Sequence, residues 1–142
     1  MSYYSKKVFS VKDFELVLVE REKKFFDTGI RSIKISNGFG IVDSDLNDEF
    51  YLSFSSSIEV VDSEKTVKGQ LFGQVDPIDN IFEMVAVFTD PFSGQRVVDE
   101  RFNEMINDGD EFYRFWELFS NNSVYENWRR IKKCFQLKLI FN

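Results

Sequence analysis

The segment Asp43-Ser44-Asp45-Leu46-Asn47-Asp48-Glu49 places oxygen-bearing side chains at alternating positions, the pattern by which a loop grips calcium. A calcium loop of the helix–loop–helix type also takes glycine at its sixth position and a bidentate glutamate at its twelfth. Those positions hold Asp48 and Phe54, so the segment reads as a solvated acidic loop. Asp13, Glu22 and Lys24 form a second set: carboxylates that hold a hard cation and a lysine near a scissile phosphate are the tools of metal-dependent nuclease chemistry. Such triplets arise often in charged segments and no phosphate site surrounds this one, so a solvated charged turn is expected. Cys134 lies near Lys132 and Lys133, but a catalytic thiolate also needs an orienting partner. It reads as a small side chain beside an amphipathic stripe.

What is missing narrows the chemistry further. The chain has no histidine, which removes the commonest neutral-pH base, the commonest metal ligand and every histidine-dependent triad. One cysteine cannot build a four-ligand zinc site, and no glycine-rich phosphate loop occurs. The expectation is a non-enzymatic protein with no cofactor and no metal; a cation held by the acidic cluster alone is the one remaining catalytic route.

Charge is the strongest functional clue. Residues 43–111 carry 17 Asp and Glu against 4 Lys and Arg, a net −13, between ends that sum to +3 (residues 1–42) and +4 (residues 112–142). A long acidic stretch repels nucleic acid and steers basic partners. The expected partner is therefore a basic protein, such as a toxin or nuclease, and not nucleic acid or membrane. Partner-binding candidates are Asp43, Asp45, Asp48, Glu49, Asp62, Glu64, Asp90 and Phe92. They suit a stoichiometric inhibitor of immunity-protein or antitoxin type, with a phage-encoded nucleic-acid mimic in the same physical class. The alternative is an oligomeric scaffold or chaperone-like module that holds peptides on strand edges or Phe-lined grooves. Convergence of the carboxylates on one surface separates these from mere solubilisation.

The elements that position these residues follow from periodicity. Phe50, Leu52, Phe54, Ile58 and Val60 alternate with Ser53, Ser55, Ser57 and Glu59, the mark of a half-buried strand. Asp62-Ser63-Glu64-Lys65 reads as a turn into a second alternating run over 66–75, where Gly69 and Gly73 share the apolar phase and invite something bulky over them. Residues 81–89 are apolar on both phases, Asp90-Pro91-Phe92-Ser93-Gly94 is a turn, and 95–98 return as a short strand. Phe102, Met105 and Ile106, then Phe112, Phe115, Trp116 and Phe119, repeat at helical spacing. Ser123 and Glu126 form a capping box before a third stripe, and Leu137–Phe141 alternates like a strand, although a continued helix also fits. Phe14, Leu16 and Leu18 favour a strand over a helix capped at Ser10 and running to Gly29; Ile30–Ile35 is a strand and Asn37–Gly40 a loop. The whole reads as a single α+β domain over 1–142. An antiparallel meander sheet fills the N-terminal two-thirds, and two or three C-terminal helices pack on it.

No apolar run reaches the roughly 18 residues of a membrane span. The polar start and lone cysteine suit a cytoplasmic, reducing setting. The 17 Phe point to an aromatic core, with some rings free to form a contact patch.

Overall fold

A computed structural model describes residues 5–44, 50–76, 81–108 and 111–124. The fold is α+β, an antiparallel sheet followed by helices. The strands are β1 (Ser5–Val11), β2 (Phe14–Val17), β3 (Ile30–Ser44), β4 (Phe50–Asp62), β5 (Thr66–Asp76), β6 (Ile81–Thr89), β7 (Arg96–Val97) and β8 (Ser123–Val124). The helices are α1 (Lys23–Asp27), α2 (Glu100–Ile106) and α3 (Tyr113–Asn122). Sheet order is β7-β6-β5-β4-β3-β1-β8, with β2 also on β3. From β3 to β7 each strand pairs antiparallel with the next, which is the meander that the alternation predicts.

The N-terminal third holds both alternatives in part. β2 takes Phe14–Val17, and the helix is confined to α1. Gly29, at φ +92°, ends α1 in the left-handed region that favours glycine. The predicted loop at Asn37–Gly40 is instead the middle of β3. Asn37 sits at φ 54°, and the β3–β4 register slips between Ser36 and Phe39. That is a bulge, in which asparagine tolerates the left-handed turn and the strand carries on. Lys12 and Asp13 break the neighbouring strand at the same level, and the Asp13 carboxylate accepts the Asn37 N–H at 3.2 Å.

One face of the sheet carries the core. Leu52, Phe54, Ile58 and Val60 of β4 point inward with Ile33, Ile35, Leu71, Met84 and Ala86, and the three helices cover them. The expected Phe-rich core is present as a run of rings: Phe88–Phe102–Phe25–Phe112–Phe115–Phe119–Phe54, each neighbouring pair with centroids 4.4–6.3 Å apart. The Phe9 ring occupies the space of a Gly40 side chain, and the Val87 carbonyl and Phe88 lie against Gly69.

α2 also closes a strand edge. β7 covers only Phe88 and Thr89 of β6. Beyond them, Asn103 Oδ1 accepts the Ala86 N–H (2.9 Å), and Asn107 Oδ1 accepts the Met84 N–H (2.9 Å). Asn107 Nδ2 donates to the Met84 carbonyl (2.9 Å). Four residues along a helix rise about 6 Å and two along a strand about 6.8 Å, so an i, i+4 asparagine pair matches an i, i+2 strand edge.

Whether the predicted capping box at Ser123 opens a helix lies outside the described residues. Ser123 ends α3 in an extended conformation, and its hydroxyl donates to the Phe119 carbonyl at 2.8 Å. Glu126, the basic run 129–133, Cys134 and the alternating end at 137–141 lie outside the described residues.

Candidate binding surface at the β-turn end

Two turns meet at one end of the sheet. β4 and β5 join through Ser63-Glu64, closed by the Asp62 N–H donating to the Lys65 carbonyl (3.0 Å). Asp62 Oδ1 accepts the N–H groups of Glu64 (2.7 Å) and Lys65 (2.6 Å). β6 and β7 join through Pro91–Gly94, closed by the Asp90 N–H donating to the Gln95 carbonyl (2.8 Å). Asp90 Oδ1 accepts the N–H groups of Phe92 (2.8 Å) and Ser93 (3.4 Å). In both turns a short carboxylate replaces a missing backbone acceptor. For Asp62 the Glu64 N–H, then that of Lys65, holds the carboxyl below its ordinary value; for Asp90 the Phe92 N–H, then that of Ser93, does the same.

Phe92, in the β6–β7 turn beside Asp90, is 98% exposed on a backbone pinned on both sides. A fully exposed aromatic on an ordered turn is a ready anchor, because little conformational freedom remains to be lost on contact. The turns flank adjacent strands β5 and β6, so about two inter-strand spacings, roughly 10 Å, separate them.

The acidic set as a whole does not converge. Asp43 lies at the opposite end, paired with Tyr51, eleven residues before Asp62 on β4, which is about 35 Å of strand. Asp45, Asp48 and Glu49 lie outside the described residues. Glu59 belongs to a row of alternating charge across four strands, Glu15–Lys34–Glu59–Lys68. Asp108 pairs with Lys24 Nζ at 2.5 Å, and Glu111 accepts the Lys24 N–H at 3.0 Å. Asp62, Glu64, Asp90 and Phe92 thus share one end, with Lys65 and Arg96 beside them on the same turns.

The nuclease-like set turns out to be structural. Glu22 is buried and pairs with Arg114 of α3, whose guanidinium also donates to the Val17 carbonyl. Lys24 is committed to Asp108. These contacts tie α1 to the C-terminal helices, and they replace the solvated turn expected from sequence. Among the described residues no group of three His, Cys, Asp or Glu side chains is placed to hold a metal.

A pocket of about 340 Å³ opens at the same end. Its floor is Ile30, Val60, Val67, Phe88, Phe102 and Met105. Its rim is Thr28, Asp62, Lys65, Asp99 and Arg101. Sequence reading missed this pocket because its lining comes from five elements and from the α1–β3 junction. The face opposite the described helices carries a second exposed group: Phe39, Phe72 and Val85 lie in one cross-strand row with Ser10 and Ser55. Among the described residues no helix is long and apolar enough to cross a membrane.

No protein-family model, curated protein or solved structure matches the chain.

Proposed function

We propose that this chain is a non-enzymatic protein-binding domain that docks a basic protein at the β-turn end, as a stoichiometric inhibitor does. Phe92 is the anchor, and Asp62, Glu64 and Asp90 are its acidic rim. The observation that supports this reading is the exposure of Phe92 on a turn held by the two-fold capping of Asp90. A buried aromatic anchor supplies most of the affinity in such an interface, while exposed rim carboxylates mainly raise the association rate.

The test is surface plasmon resonance with a basic protein captured from the native host. Phe92→Ala should raise the dissociation rate at least about 30-fold, the scale of a hot-spot truncation. Replacing Asp62, Glu64 and Asp90 with Asn, Gln and Asn should lower the association rate and flatten its salt dependence. A partner held equally well by Phe92→Ala refutes the reading.

The row of Phe39, Phe72 and Val85 favours a second reading, an oligomeric scaffold or peptide-holding module that uses the outer sheet face. A strictly monomeric protein by light scattering at high concentration counts against it.

A further inference from the structure

The pocket beside the turns has the features of a small-molecule site, independently of any protein partner. The core residues with the greatest remaining exposure, Ile30, Val60, Phe88 and Met105 at 7–9%, all belong to its floor. The core comes nearest to solvent here. A volume of about 340 Å³ lies at the low end of the roughly 300–1,000 Å³ typical of ligand pockets, too small for a nucleotide cofactor.

The rim selects among small apolar ligands. The rim carries two cations, Lys65 and Arg101, and two carboxylates, Asp62 and Asp99, so it is formally neutral. Neither cation makes an ion pair among the described residues. Each carboxylate uses Oδ1 for its own backbone: Asp62 for the β4–β5 turn, and Asp99 for the Phe102 N–H at 3.1 Å. Oδ2 of each takes no part in these bonds. The Thr28 hydroxyl is committed to the Phe25 carbonyl at 2.5 Å.

A fatty acid would satisfy the cations and set its charge against both carboxylates. An alkylamine would do the reverse. A peptide terminus carries only one of the two charges. A compact ligand with both charges at one end and an apolar body at the other meets every group present. We propose that this pocket binds a free α-amino acid with an apolar side chain: ammonium toward Asp62 and Asp99, carboxylate on Lys65 and Arg101, side chain on the floor of Ile30, Val60, Val67 and Met105.

Titration calorimetry on the full chain alone tests this, with leucine, methionine and phenylalanine as probes. Isocaproate, which is leucine without its amine, and isoamylamine, which is leucine without its carboxylate, are the comparison ligands. The amino acids should bind, and each one-charge analogue should bind at least about tenfold more weakly, the scale of one charge-assisted hydrogen bond. Asp99→Asn keeps the helix cap, because Asn caps as well as Asp, but removes the charge. It and Arg101→Gln should each weaken leucine about tenfold without moving the melting temperature. The methyl resonance of Met105 in methionine-labelled protein is a second readout, and it should shift with leucine. Isocaproate binding as tightly as leucine overturns the proposal. So does an unmoved Met105 methyl at millimolar amino acid.

Discussion

Asn107 ties the end of α2 to the β6 edge, and its removal has a cost that the geometry sets. Its side chain makes three hydrogen bonds: the Met84 N–H, the Met84 carbonyl and the Asn103 carbonyl. Asn107→Ala orphans both polar groups of Met84 at a strand edge whose side chain is fully buried. Each such group costs about 1–3 kcal/mol when left unpaired. The site is only part-buried, so water recovers some of this, and about 2–3 kcal/mol should remain. In urea denaturation that is a fall in midpoint of about 1 M, given slopes of about 1–3 kcal/mol/M. The bare β6 edge is then free to pair with another chain, so light scattering should show concentration-dependent association. Glu104→Ala, on the exposed side of the same helix, should stay within about 0.5 kcal/mol of the parent protein. An Asn107→Ala protein that matches the Glu104→Ala control in midpoint and slope refutes the claim that α2 serves as a surrogate strand.

Two further outcomes follow from single polar groups. Ser56 is buried opposite the β3 bulge with no partner for its hydroxyl among the described residues, so Ser56→Ala should be neutral or up to about 1 kcal/mol more stable by calorimetry; a loss of that size instead would show a partner for Oγ. Asp62 and Asp90 titrate below their ordinary 3.8 in the folded chain, so their contribution is complete above that value and is lost as pH falls through the folded-state pKa values. Asparagine at both positions keeps the turn acceptors but does not titrate, so the acid limb of the stability curve should become shallower; an unchanged limb would show that these turns do not contribute to it.

The meander was legible because a sheet that packs its core on one face writes its period into the sequence: Leu52, Phe54, Ile58 and Val60 against Ser53, Ser55 and Ser57. The stripe Phe112, Phe115, Trp116 and Phe119 was legible in the same way, and all four are buried. Asn37 misled because Asn-Gly usually marks a turn, whereas here the same left-handed preference serves a bulge inside a long strand. Asn103 and Asn107 carried a visible i, i+4 spacing, but its meaning depends on which strand edge is left bare, and that is settled only by tertiary pairing. Glu22 and Arg114 are 92 residues apart, so no local pattern links them. Of the site, the turns themselves were readable, and topology then decided which turns share an end.

That topology divides the acidic middle of the chain into parts that act separately. At about 0.1 M salt, exposed charges are screened beyond about 10 Å. The roughly 10 Å between the β4–β5 and β6–β7 turns is within reach of that length, so the charges of Asp62, Glu64 and Asp90 add to one local field. The roughly 35 Å to Asp43 is several screening lengths, so the β3–β4 end contributes little to the field that a partner meets at Phe92. Lys65 and Arg96 on the same turns offset part of the remaining charge. Net charge alone therefore overstates the pull of the turn end. On the proposed reading, carboxylates there would set how fast a basic partner arrives, and the fully exposed ring of Phe92 how long it stays.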